Sequence, residues 1–140
     1  MTYGSGVSPK AKNIAQHLIA YEAIGKNLPT ATGPAAFEVC EKLRRPLSTL
    51  AGAAGFRSLL MRALTLAKRE AGALDALLVR DDGSLEGPSA NAAGAGGALL
   101  IAQLLGLLMT FIGEALTMSL LNEIWPELLT ADLKSGKEMR

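Results

Sequence analysis

The sequence predicts a mainly all-α fold: a compact helical bundle packed around one central apolar helix, with a short β-hairpin near residues 76–86. Three observations predict it. Gly87 to Gly113 carry no charge, and Ala98–Ile112 within that run is almost wholly apolar. Aromatic residues make up only 4% of the chain while Leu and Ala abound, which favours helix packing over a β-sandwich. Elsewhere, apolar residues recur at helical spacing. The 140 residues suit one domain that buries roughly two thirds of the surface its unfolded form exposes. Residues 1–7 read as a flexible N-terminus, 8–129 as the domain and 130–140 as a frayed polar tail.

Ser8-Pro9 is a helix start, with Ser as the cap and Pro at the first helical position. Ile14, Leu18 and Tyr21 then share one face, His17 borders it, and Gly25 can close the helix. After a loop over 26–33, Pro34 opens a second helix whose apolar stripe is Phe37, Cys40 and Leu43. Pro46 would clash with the carbonyl of Lys42, so this helix should end or kink near Arg44–Arg45. Leu47–Ala54 then resumes as a short helical piece.

Gly55–Ala71 is the cleanest amphipathic segment. Phe56, Leu59, Leu60, Ala63, Leu64, Leu66 and Ala67 fill one side, and Arg57, Ser58, Arg62, Thr65, Lys68 and Arg69 fill the other, with Met61 an apolar intruder. Gly72 is its expected stop. Ala76–Val79 and Ser84–Glu86 flank the tight-turn pair Asp82-Gly83 and predict the hairpin, which must lean on the helices. A glycine-rich loop follows. One long helix is then expected from about Ala98 to about Ile124, ended by Pro126, with Gly106 and Gly113 as points where it can bend.

The apolar run has a mean hydropathy of roughly 1.9 per residue over its best 19-residue window, enough to flag a membrane span. Other features favour a buried helix. Its N-terminal third is glycine-rich, the nearest flanking charges are the acids Glu86 and Glu114, and no Lys or Arg anchors either end. Within it, Gly94, Ala98, Ala102, Gly106 and Thr110 recur every four residues as a ridge of small side chains. Such a ridge permits close helix–helix packing, within the chain or between two copies.

The net charge of +1 conceals a separation. Lys42–Arg69 hold seven bases and no acid, whereas Glu70–Arg140 hold four bases and ten acids. Either the basic helix packs beside acidic parts of the fold, or it meets an anionic partner. Arg57 and Lys68 lie on one edge of its polar face and Arg62 and Arg69 on the other, a geometry suited to phosphates or anionic lipid headgroups. Aromatics that would stack on bases are missing from this face.

No catalytic, metal or cofactor constellation is legible, so enzymatic activity is not expected. Cys40 and His17 are the only cysteine and histidine. Cys40 sits on an apolar stripe, where an inert thiol is the ordinary state. Asp81-Asp82 reads as a solvated turn. Glu114 on the long apolar helix needs a partner if buried, and an arginine of the basic helix could supply one. The glycine-rich loop lacks the Lys-Ser/Thr of a phosphate loop. A lone cysteine and a polar N-terminus without an apolar signal core point to the cytoplasm.

Glu41-Lys-Leu-Arg-Arg-Pro-Leu-Ser48 resembles the phospho-acceptor box of sensor histidine kinases, His-Glu-Leu-Arg-Thr-Pro-Leu. Glu41 stands where that box has its histidine, so the resemblance implies no phosphotransfer. Residues Phe37–Leu66 and Gly113-Glu-Ala-Leu-Thr117 are similar to small bacterial helical proteins of unknown role, which brings no activity with it. The expected function is that of a small intracellular interaction or regulatory module, binding a protein partner or a second copy of itself. Membrane association through the 98–124 helix or the basic 56–69 helix is the alternative. Nucleic-acid binding through the basic face is the third reading.

Overall fold

The computed structural model describes residues 9–25, 33–88 and 95–126. Ser8, Gly94, most of the glycine-rich loop, and the expected flexible terminus and frayed tail lie outside that set. Five helices follow in order: α1 (Pro9–Gly25), α2 (Gly33–Ala51), α3 (Ala53–Glu70), α4 (Ala95–Ile112) and α5 (Glu114–Ile124). Between α3 and α4 lie a 3₁₀ turn (Gly72–Ala76) and the antiparallel strands β1 (Leu78–Val79) and β2 (Leu85–Glu86). Leu78 pairs with Glu86 and Val79 with Leu85, so the expected hairpin forms, though with very short strands.

The apolar run becomes the centre. α4 packs mainly on α3 and α1, with α5 and α2 completing its surroundings. Leu100, Ile101, Ala102, Gln103, Leu104 and Leu105 are all buried. Six successive residues at about 100° each go around the whole helix, so this stretch is covered on every side. The last turn opens outward, with Thr110 and Phe111 exposed. At about 1.5 Å per residue the 18 residues of α4 reach about 27 Å, short of the ~30 Å bilayer core. No helix among the described residues is long and apolar enough to cross a membrane.

The single helix expected over 98–124 is in fact two. Gly113 adopts φ 94°, ψ 155° and ends α4 while capping α5. Its N–H bonds Met109 O at 3.0 Å, and its own carbonyl accepts Thr117 N at 3.1 Å. The α2–α3 junction repeats the device. Gly52, at φ 85°, ψ 154°, donates to Ser48 O at 2.7 Å and accepts from Phe56 N at 2.9 Å. This backbone region is essentially confined to glycine, so each corner is written by one residue.

Of the end or kink expected at Pro46, the end does not occur; the helix continues to Ala51, and the separate 47–54 piece dissolves into α2 and the start of α3. A proline in a helix interior costs about 3 kcal/mol. Leu43 and Leu47, on either side of it, are fully buried, at about 1.5–3 kcal/mol each, and offset that cost. On α1 the buried stripe is Ala11, Ile14, Ala15, Leu18, Ile19, Glu22 and Ala23, which turns Tyr21 outward at 37% exposure. α3 buries Phe56, Leu60, Ala63, Leu64 and Ala67 as its periodicity predicts. Gly72 follows the helix end and opens the 3₁₀ turn.

Candidate functional site

The site is built where α5 returns along α2. A buried polar knot fixes this junction. Glu22 of α1 is 2% exposed, yet it accepts the indole Nε1–H of Trp125 at 2.8 Å and Lys42 Nζ at 2.7 Å. A carboxylate taken out of water needs such partners. Because Trp125 and Lys42 converge on Glu22, the end of α5 lies beside the middle of α2. Since 45–50 of α2 and 116–123 of α5 line one groove and α5 ends beside Lys42, Glu123 falls toward the Arg45 end and Leu116 toward the Leu50 end.

Between them lies an open groove of about 600 Å³, lined by Arg45, Pro46, Thr49 and Leu50 from α2 and by Leu116, Ser119, Leu120 and Glu123 from α5. Leu50 and Leu116 are each 47% exposed and Leu120 is half-buried. Arg45 and Glu123 are exposed on opposite walls. Pro46 puts a rigid ring into one wall, and Thr49 returns its hydroxyl to Arg45 O at 3.1 Å. Thr49 and Ser119 bring hydroxyls and Glu123 a carboxylate to this lining. Its chemistry is that of an apolar seat with one charge on each rim.

A second hollow of about 860 Å³ adjoins it and shares Arg45, Pro46 and Thr49. Two of its three cations are engaged. Arg44 donates to Glu41 Oε1 at 2.9 Å and to Asp82 O at 3.2 Å, and Lys42 belongs to Glu22. The hydrogen bond and charge of Glu41 hold Arg44 further toward its protonated form. Two bonds from Ser84, hydroxyl and amide at 2.6 and 2.9 Å, lower the pKa of Asp82, and the carboxylate shapes the hairpin turn. Among the described residues no three of His, Cys, Asp and Glu cluster.

The four basic residues singled out on α3 separate. Arg57 donates to Arg80 O at 3.2 Å and approaches Asp81 at 3.7 Å, holding the hairpin against α3. Gly83 tucks in beside it: a Cβ there would stand 3.1 Å from the Phe56 ring. No ion pair among the described residues involves Arg62, Lys68 or Arg69. The acidic hairpin thus answers part of the basic segment within the chain. Glu114 is exposed at the start of α5 and pairs with Lys10 of α1, not with an arginine of α3.

On the small-residue ridge, Ala102 is buried and Ala98 half-buried, while Thr110 is exposed and bonds back to Gly106 O at 3.1 Å. A Cβ at Gly106 would meet nothing within 4 Å, so no described helix approaches closely there. Gly94 lies outside the described residues. Cys40 is buried, and burial, with the neighbouring Glu41 charge, pushes its thiol up to about 12. His17 is exposed, and its Nδ1 lies 2.9 Å from Asn13 O.

Sequence reasoning missed both the groove and the knot. Leu50, Leu116 and Leu120 are three of many leucines, and which of them face out depends on how α5 lies against α2. Glu22 sits at the i+4 position from Leu18 on the buried stripe, a signal that the charge of its own side chain conceals. No family model, curated protein or solved structure matches the chain.

Proposed function

We propose that the chain is a non-catalytic protein-interaction module of the cytoplasm, whose docking surface is the groove between α2 and α5. The observation that carries this reading is the pair Leu50 and Leu116, each about half exposed on facing walls of a groove in a bundle whose other large leucines are mostly covered. Water-exposed leucines in a concave surface gain free energy when an apolar face covers them, about 25 cal/mol per Å² removed from water. An amphipathic helix laid along such a groove is a recurrent way of meeting that demand. Arg45 and Glu123 at the rims then select among apolar faces by charge.

Site-specific photo-crosslinking in living cells tests this. A photoreactive residue at Leu50 or Leu116 should capture protein. The same residue at Gln16, on the separate surface formed with Lys12 and Glu70, should not. Equal capture at Gln16, or none at Leu116, would refute the groove as a docking surface.

A further inference from the structure

We propose that the occupant of the α2/α5 groove is the same groove of a second copy of this chain, related by a two-fold axis running along it. The inference rests on the docking reading above and adds the identity of the partner. Its basis is the charge placement. One wall carries Arg45 and the other Glu123, at the same end of the groove because α5 ends beside Lys42. A two-fold contact presents the same patch from both sides. Rotation about an axis parallel to the groove lays α2 of one protomer over α5 of the other without changing position along the groove. Arg45 of each copy then meets Glu123 of the other, and Leu50 meets the second copy's Leu116. Every rim charge is answered and both leucines of each copy are covered. The alternative axis, across the groove, would set α2 on α2 and α5 on α5, with Arg45 and Glu123 both left unanswered. Among the described residues neither Arg45 nor Glu123 takes part in an ion pair, so both charges are available to a partner.

The pairing rule makes a sharp test by sedimentation equilibrium of the full chain at micromolar concentrations. The wild type should be a dimer that weakens as salt screens the rim pairs. Arg45→Glu and Glu123→Arg should each weaken it at least about tenfold, since each places two like-charge contacts in a symmetric dimer. An equimolar mixture of the two variants should recover wild-type affinity, because both rim contacts of the mixed dimer again set one acid against one base. Both positions are exposed, so in dilute solution, where the wild type is also monomeric, thermal melting of each variant should match the wild type. A monomeric wild type, variants that dimerise normally, or a mixture that stays monomeric would each overturn the proposal. With a monomeric wild type, crosslinks at Leu116 would keep the docking reading with a foreign protein, and their absence would end both.

Discussion

At the scale of single residues, the structure rests on a few buried groups with specific partners. Glu22 is the sharpest case. Replacing Lys42 by Met leaves its carboxylate buried with only an indole N–H for company. Replacing Glu22 by Gln removes the charge but keeps an acceptor for Trp125. Lys42→Met should therefore destabilise more, by about 2–3 kcal/mol against about 1 for Glu22→Gln, as read by urea denaturation at neutral pH. Equal costs would mean that the ion pair contributes nothing beyond the hydrogen bond. Cys40 gives a second prediction. With its thiol at about 12 and its side chain out of reach of solvent, alkylation in native buffer should proceed only as fast as the chain unfolds. Rapid native labelling would contradict the burial. Cys40 was legible from its place on an apolar stripe. Glu22 was not, because a charged side chain facing the interior runs against the pattern that finds helix faces.

At the scale of elements, both helix–helix corners depend on a glycine in a conformation other residues avoid. At Gly52 and Gly113 a Cβ would touch nothing, so the penalty for alanine is conformational strain alone. Gly113→Ala and Gly52→Ala should each cost about 1–3 kcal/mol. Gly106→Ala has the opposite sign. It lies inside α4 with open space beside it, and alanine there should stabilise by about 0.5–1 kcal/mol. Thermal melts of the three variants check the signs, and a destabilising Gly106→Ala would reveal a close neighbour at that position. The hairpin supplies a pH dependence. Ser84 holds the Asp82 carboxylate charged, so its folded pKa is depressed. The contribution of this turn is present above the ordinary aspartate range and is lost as pH falls through the lowered value. The Ser84 amide resonance should report that titration, and a shift at the ordinary aspartate pKa would contradict it. The amphipathic periodicity of α3 and the Asp82-Gly83 turn were readable in sequence because they are local signals. The passage of α2 through Pro46 was not, since the burial of Leu43 and Leu47 outweighs the proline only once the other helices are in place. The corner at Gly113 was visible only as a weak point. Which weak point breaks is decided by where α5 must fold back to reach Glu22.

At the scale of the whole molecule, one charge-free run is converted from a hazard into a core. The central stretch of α4 is enclosed by α1, α2, α3 and α5, and the end of α5 is pinned by Trp125. That conversion leaves the α2/α5 groove as a place where leucines still face water from two walls, and the docking proposal rests on them. The central role of α4 was legible from the length and purity of the run. The groove depends on how α5 is turned relative to α2, which no local pattern encodes. Amide hydrogen exchange in detergent-free buffer tests the enclosure most directly. The account predicts that the amides of Leu100–Leu105 exchange last of all, at the rate of global unfolding, while those of the final α4 turn exchange sooner. Central α4 amides exchanging as early as the helix ends, or slowed only when lipid is added, would contradict it.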